Sequence, residues 1–203
     1  MKMQEGSVLP VTATLGRYDS VGGSAMHPAR KTMLWLNVLG GVAVLGSYAI
    51  GLTTHPLTRS EVWGNVPEGI RPLYSANMFF AAAGYLTFSY LLFFRTDPGA
   101  QRAAVGFGYG TWNWLYAGVL IPSALWMPLT FAMVDAPSPG LWLAIRATLG
   151  IVGLSALGFL VGLVKIRRHD PRPLNACAIA GACFFAIQTA VLDALIWPAY
   201  FPA

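Results

Sequence analysis

Charge is what this chain lacks most. Of its 203 residues 10% are Asp, Glu, Lys or Arg, against about 25% in a soluble globular domain, while 56% are hydrophobic and mean hydropathy is +0.57. That balance excludes a water-soluble globule. Disorder is excluded too, because disordered chains are poor in aromatic and aliphatic side chains and this one has 7 Trp, 8 Tyr and 11 Phe. Cysteine is nearly absent: Cys177 and Cys183 lie six residues apart in one hydrophobic segment, on different sides of a helix, and make no disulfide framework. Histidine is scarce and poorly placed for redox work, since His27, His55 and His169 fall in the tail or loops and leave paired intramembrane haem ligation without ligands. The chain has no Cys/His cluster for zinc, no phosphate-cradling glycine loop, no Gly-x-Ser-x-Gly nucleophile and no mid-span lysine for a Schiff base. The expectation is therefore no metal and no cofactor. The net charge of +5 does not imply nucleic acid, because the basic residues flank apolar segments, where membrane topology accounts for them.

What is present is a set of long apolar runs. A bilayer core of about 30 Å needs roughly 20 apolar residues at about 1.5 Å each, and five stretches qualify: Met33–Leu52, Leu73–Phe94, Ala103–Val134, Leu141–Val164 and Leu174–Ala199. They predict an all-α integral membrane protein, a five-transmembrane-helix bundle spanning residues 32–203 behind a mobile Gly/Ser/Thr-rich tail over 1–31, with no internal repeat. The tail is not a signal peptide in form, because the apolar run after Arg30-Lys31 lacks a small-residue cleavage site and is long enough to stay in the membrane. Pro72 and Pro139 suit first-turn positions, Ser138 suits an N-cap, and Asp170-Pro171 would open the last helix. Pro122 and Pro128 predict a bent or tilted third helix. Ten of the 13 basic residues flank one side of these spans, against Arg59 and Arg71 on the other, which predicts a cytoplasmic N-terminus and an external C-terminus.

Two ionisable residues remain inside spans. Each costs at least about 2.5–3.5 kcal/mol on insertion scales, so by default it faces protein or water. Arg146 and Asp193 both lie roughly 8 Å below the external end, on consecutive helices, and are predicted to pair. Three readings stand: a structural lock between helices four and five, an Arg146 that snorkels alone to headgroups, or a polar patch in an outward-opening cavity. The third is favoured by the neighbours, with Trp142 and Gly150 at i−4 and i+4 of Arg146, and Thr189 and Trp197 likewise flanking Asp193. Tyr74 and Asn77 share a face of helix two at the same depth. Helix three carries a stripe of Tyr109, Asn113, Tyr116, Ser123 and Thr130, with Trp112 and Trp126 alongside, which reads first as packing. Trp35 and Trp63 suit the interfacial aromatic belt. Gly106-x-x-x-Gly110, Gly158-x-x-x-Gly162 and Ala176-x-x-x-Ala180 suit close helix packing, with homodimerisation through the glycine faces as one use of it.

Three of these segments carry a family resemblance. The run Leu125-Trp126-Met127-Pro128-Leu129-Thr130-Phe131 resembles the Asn-x-x-Trp-Ser-Pro-Leu-Phe-Phe signature of the translocator/tryptophan-rich sensory proteins. The segment from Phe185 through Leu192-Asp193 to Ile196-Trp197 is similar to their last helix, and Leu73-Tyr74, Met78 and Gly84-Tyr85 resemble their second. The resemblance implies five membrane helices and binding of porphyrins or sterols. The family's helix-three Gln and Asn fall at Val119 and Ser123, its helix-five Asn is Asp193, and its doubled prolines in the first loop are missing.

Together these readings predict a cavity that binds a tetrapyrrole, sterol or lipid for sensing or transfer, lined by Tyr74, Asn77, Trp126, Trp142, Arg146, Thr189, Asp193 and Trp197. The tryptophans would supply flat contacts and Arg146 a bidentate partner for a ligand carboxylate. The rival readings are a membrane isomerase or lyase in which Asp193 moves protons on a lipid-like substrate, and a small structural subunit of a larger membrane complex.

Overall fold

The structure, a computed structural model, describes residues 28–96, 108–169 and 172–201. The expected tail lies outside the described residues up to residue 27, as do Arg102, the start of the third span at 103–107 with Gly106, and Asp170-Pro171; the side chains of Tyr109, Arg167, Arg168 and His169 are outside them too. Five helices are long and apolar enough to cross a membrane, and no strand occurs among the described residues. They are α1 (Pro28–Thr54), α2 (Arg71–Arg95), α3 (Tyr109–Asp135), α4 (Pro139–His169) and α5 (Pro173–Tyr200). This is the integral multi-pass bundle that hydropathy predicts. Helix α1 begins at Pro28 and so takes the last four residues assigned to the tail.

The helix starts follow from local chemistry. Pro72 sits in the first turn of α2, where a missing N–H removes no helical bond. At α4 the Ser138 hydroxyl accepts the Leu141 N–H at 3.2 Å, an N-cap ahead of Pro139. Helix α5 starts at Pro173, with Asn175 N–H bonded to the Arg172 carbonyl at 3.0 Å. Helix α3 runs unbroken through Pro122 and Pro128. Two helices are not α-helical throughout: α2 ends in a π turn over Leu91–Arg95, and α5 winds as π-helix over Ile187–Ile196 before an α-helical last turn at Trp197–Tyr200.

Packing closes the helices into an incomplete ring. Helix α1 lies on α3, α3 on α4, α4 on α5 and α5 on α2, whereas the consecutive helices α1 and α2 hardly pack on each other. At the end bearing Arg30, Lys31, Arg95, Lys165 and Arg172, the basic end, two bonds join them. Arg30 donates to the Thr96 carbonyl at 2.9 Å and the Tyr85 hydroxyl donates to Asn37 Oδ1 at 2.5 Å. The opposite end carries residues 55–70, the first loop, with Arg59, and Arg71 beside it at the start of α2.

Glycines set the tightest approaches. A Cβ on Gly84 of α2 would run into the Gly181 carbonyl oxygen of α5, so these helices cross backbone against backbone. Gly158 and Gly162 receive Leu115 and Trp112 of α3, placing that face inside the bundle, in packing within the chain. The polar stripe of α3 serves packing as well. Asn113 donates to the Ala29 carbonyl at 3.3 Å, the Tyr116 hydroxyl to Ser89 Oγ at 2.8 Å, and Thr130 to the carbonyl of Trp126 at 2.8 Å.

Candidate functional site

The first-loop end is organised around Trp197. Its ring centroid lies 5.8 Å from Trp126, 6.2 Å from Trp142 and 4.5 Å from Phe201, so α3, α4 and the end of α5 meet through aromatic faces and edges. Its indole N–H donates to the Val62 carbonyl at 2.9 Å, while Asn65 N–H donates to the Tyr200 carbonyl at 2.8 Å. The loop is thereby held across the C-terminal turn, with Val66 buried beneath it. Gly64 turns the loop at φ +53°, a region open to glycine, and a Cβ there would press on Phe201. Arg71 donates to the Val66 carbonyl at 3.0 Å and stands over the Trp63 ring, whose edge meets Tyr74. Trp63 is thus a packing residue of the loop, while Trp35 is exposed near the basic end.

Below the aromatic cluster runs a chain of side-chain amides. Asn77 of α2 donates to Gln188 Oε1 at 2.9 Å and also to the Phe184 carbonyl at 3.2 Å; Gln188 Nε2 in turn donates to Asp193 Oδ1 at 2.9 Å. The Tyr74 hydroxyl donates to the carbonyl of Leu192, next to the acid. Gln188 and Asp193 are five residues apart. In an α-helix that spacing leaves side chains about 140° out of line, and the i→i+5 winding of Ile187–Ile196 is what brings them together.

Three polar groups here have no hydrogen-bond partner among the described residues. The Trp126 indole N–H is buried and unsatisfied, a condition that costs about 1–3 kcal/mol. Tyr48 of α1 packs its ring on Trp126 at 5.7 Å while its hydroxyl bonds to nothing. Asp193 Oδ2 is free although Oδ1 is held. Asp193 lies near the phenols of both Tyr48 and Tyr74 and is itself partly exposed.

Of the eight residues singled out from sequence, the structure gathers Tyr74, Asn77, Trp126, Trp142, Asp193 and Trp197 at the first-loop end. Thr189 is buried with its hydroxyl donated to the Phe185 carbonyl at 2.9 Å, and its backbone lies against Gly153 of α4. Arg146 corrects the expected pair. It is exposed on the outer surface of α4 and makes no ion pair with Asp193; among the described residues the imidazole of His55 approaches the Asp135 carboxyl at 3.4 Å. Its stripe-mate Trp142 turns inward because i and i−4 differ by about 40° around the helix, enough to put the two on either side of the burial boundary. Arg146 is then no member of the polar cluster; it stands on the exposed face roughly 10 Å along α4 from Pro139. Two members escaped the sequence reading. Gln188 and Tyr48 are lone polar or amphipathic residues in apolar runs, a signal available from the chain, but their partners depend on the π winding and on α1 lying against α3. The chain matches no protein-family model, and no curated protein and no solved structure matches it either.

Proposed function

We propose that the protein binds an amphipathic, membrane-soluble small molecule between Tyr48, Tyr74, Trp126 and Asp193, for sensing or transfer. One observation carries the reading: a carboxyl group with one oxygen unbonded, a phenol with no partner and an unsatisfied indole N–H all lie among the aromatic side chains of the first-loop end. A folded chain normally satisfies such groups internally, and a ligand with one polar head on an apolar body would satisfy them here. The resemblance to the tryptophan-rich sensory proteins supports the same class. With Arg146 on the outer surface, the ligand's head is not a carboxylate held by arginine. Asp193 calls for a donor, which favours sterols and lipids bearing a hydroxyl or ammonium over an acidic tetrapyrrole. The charge asymmetry supports placing the basic end in the cytoplasm.

The test is a titration of nanodisc-embedded protein with a long-chain alkylamine, read by Trp fluorescence, for wild type and Asp193→Asn. The asparagine keeps the oxygen that accepts from Gln188 and removes the charge. A charge-assisted bond is worth about 1.5–3 kcal/mol, so affinity should fall about tenfold or more. Equal titrations in a folded Asn variant would remove Asp193 from the site.

A further inference from the structure

We propose that the ligand reaches this site from within the bilayer, through the seam between α1 and α2, and not from water at the first-loop end. The inference rests on the binding reading above and adds a route to it. The bond between Tyr85 and Asn37 fixes which faces of α1 and α2 confront each other. Toward the first-loop end the same stripes continue with Gly41 and Tyr48 on α1, at i+4 and i+11 from Asn37, and with Ala82 and Met78 on α2, at i−3 and i−7 from Tyr85. These confronting stripes do not seal. A Cβ on Gly41 would meet nothing within 4 Å, Met78 is 44% exposed, Ala82 is exposed, and Tyr48 is only partly covered.

The other approach is shut. Residues 55–70 are held on the C-terminal turn by the bonds from Trp197 to Val62 and from Asn65 to Tyr200, with Val66 buried below. On the α5 side, α2 crosses Gly181 at backbone distance and leaves no passage at that crossing. The α1–α2 seam is apolar along both walls until Tyr48 and Asp193, which suits an alkyl or ring body moving in from lipid with its hydroxyl or ammonium leading to Asp193.

The experiment follows photolabelling of the α5 peptide containing Asp193 by a diazirine-bearing long-chain amine, and by the matching alcohol, each supplied already dissolved in the vesicles that hold the full-length protein. Gly41→Phe and, on the opposite wall, Ala82→Phe fill the seam without touching Tyr48 or Asp193. Each should lower the initial labelling rate at least tenfold while leaving the plateau near that of wild type. A disulfide between Asn65→Cys and Tyr200→Cys, in a background of Cys177→Ala and Cys183→Ala, pins the loop shut and should leave the rate unchanged. Slowing in the pinned protein, or wild-type rates in both folded Phe variants, overturns the route. Absence of labelling at α5 in wild type at every probe concentration overturns the binding reading itself and the route with it.

Discussion

The two ends of the bundle are built from the same aromatic residue types and finish differently. At the basic end Phe88, Trp112, Tyr116 and Phe159 are all 0% exposed, with Phe159 within 5.7 Å of the other three ring centroids. The Tyr116 hydroxyl is satisfied by Ser89. At the first-loop end Trp126 and Trp142 are half-buried, an indole N–H is orphaned, and an acid is held by one oxygen. Aromatic content therefore does not mark the site. Nor does unmet hydrogen-bonding capacity by itself, since Arg30 Nε and Asn113 Oδ1 are buried without a hydrogen bond toward the basic end; what sets the first-loop end apart is an orphaned indole N–H together with a partly exposed carboxyl group held by one oxygen.

Three substitutions would break or sharpen that contrast. The largest effect belongs to the basic end. Phe159→Ala opens a cavity where four aromatic rings meet and should destabilise the protein by about 3–5 kcal/mol, seen as a large fall in thermal midpoint in detergent; a midpoint near wild type would show that this core is loosely packed. Next is Gln188→Leu, which strips Asp193 of its donor and Asn77 of its side-chain acceptor. A loss of about 1–3 kcal/mol is expected, and an unchanged midpoint would mean that the amide chain contributes nothing to folding. Smallest is Trp126→Phe. It removes an indole N–H that bonds to nothing, so stability, read from the thermal midpoint, should stay within about 0.5 kcal/mol of wild type or rise. Alkylamine or sterol affinity, by contrast, should weaken. A destabilisation as large as that of Phe159→Ala would erase the difference between the ends.

The bundle itself was legible because span length and hydropathy are properties of contiguous residues. Ser138-Pro139 showed the start of α4 because capping is local as well. The site was legible only in composition. Asp193 stands out in an apolar run, but reading its helix as α throughout puts Thr189 and Trp197 on its face and leaves Gln188 pointing elsewhere. The structure links Asp193 to Gln188 and sends Thr189 toward α4. No local pattern in Ile187–Ile196 announces the π winding there. Arg146 failed for a related reason. Its depth was readable, but its direction depended on where the burial boundary of α4 falls. The Gly84–Gly181 crossing, two single glycines 97 residues apart in the sequence, has no motif to give it away.

The π winding also makes α5 sensitive to chain length. Each residue of an α-helix advances the side-chain direction by about 100°, so the azimuth of everything after residue 196 depends on how many residues the wide turns absorb. Removing one residue between 187 and 196 while the wide turns persist would swing Trp197 away from the Val62 carbonyl and carry Phe201 out from under Gly64, whereas the same removal with a wide turn relaxing to α geometry takes out the extra residue that turn held and keeps the register. The roof over the candidate site is in that sense indexed by the match between residue count and winding in the middle of a helix.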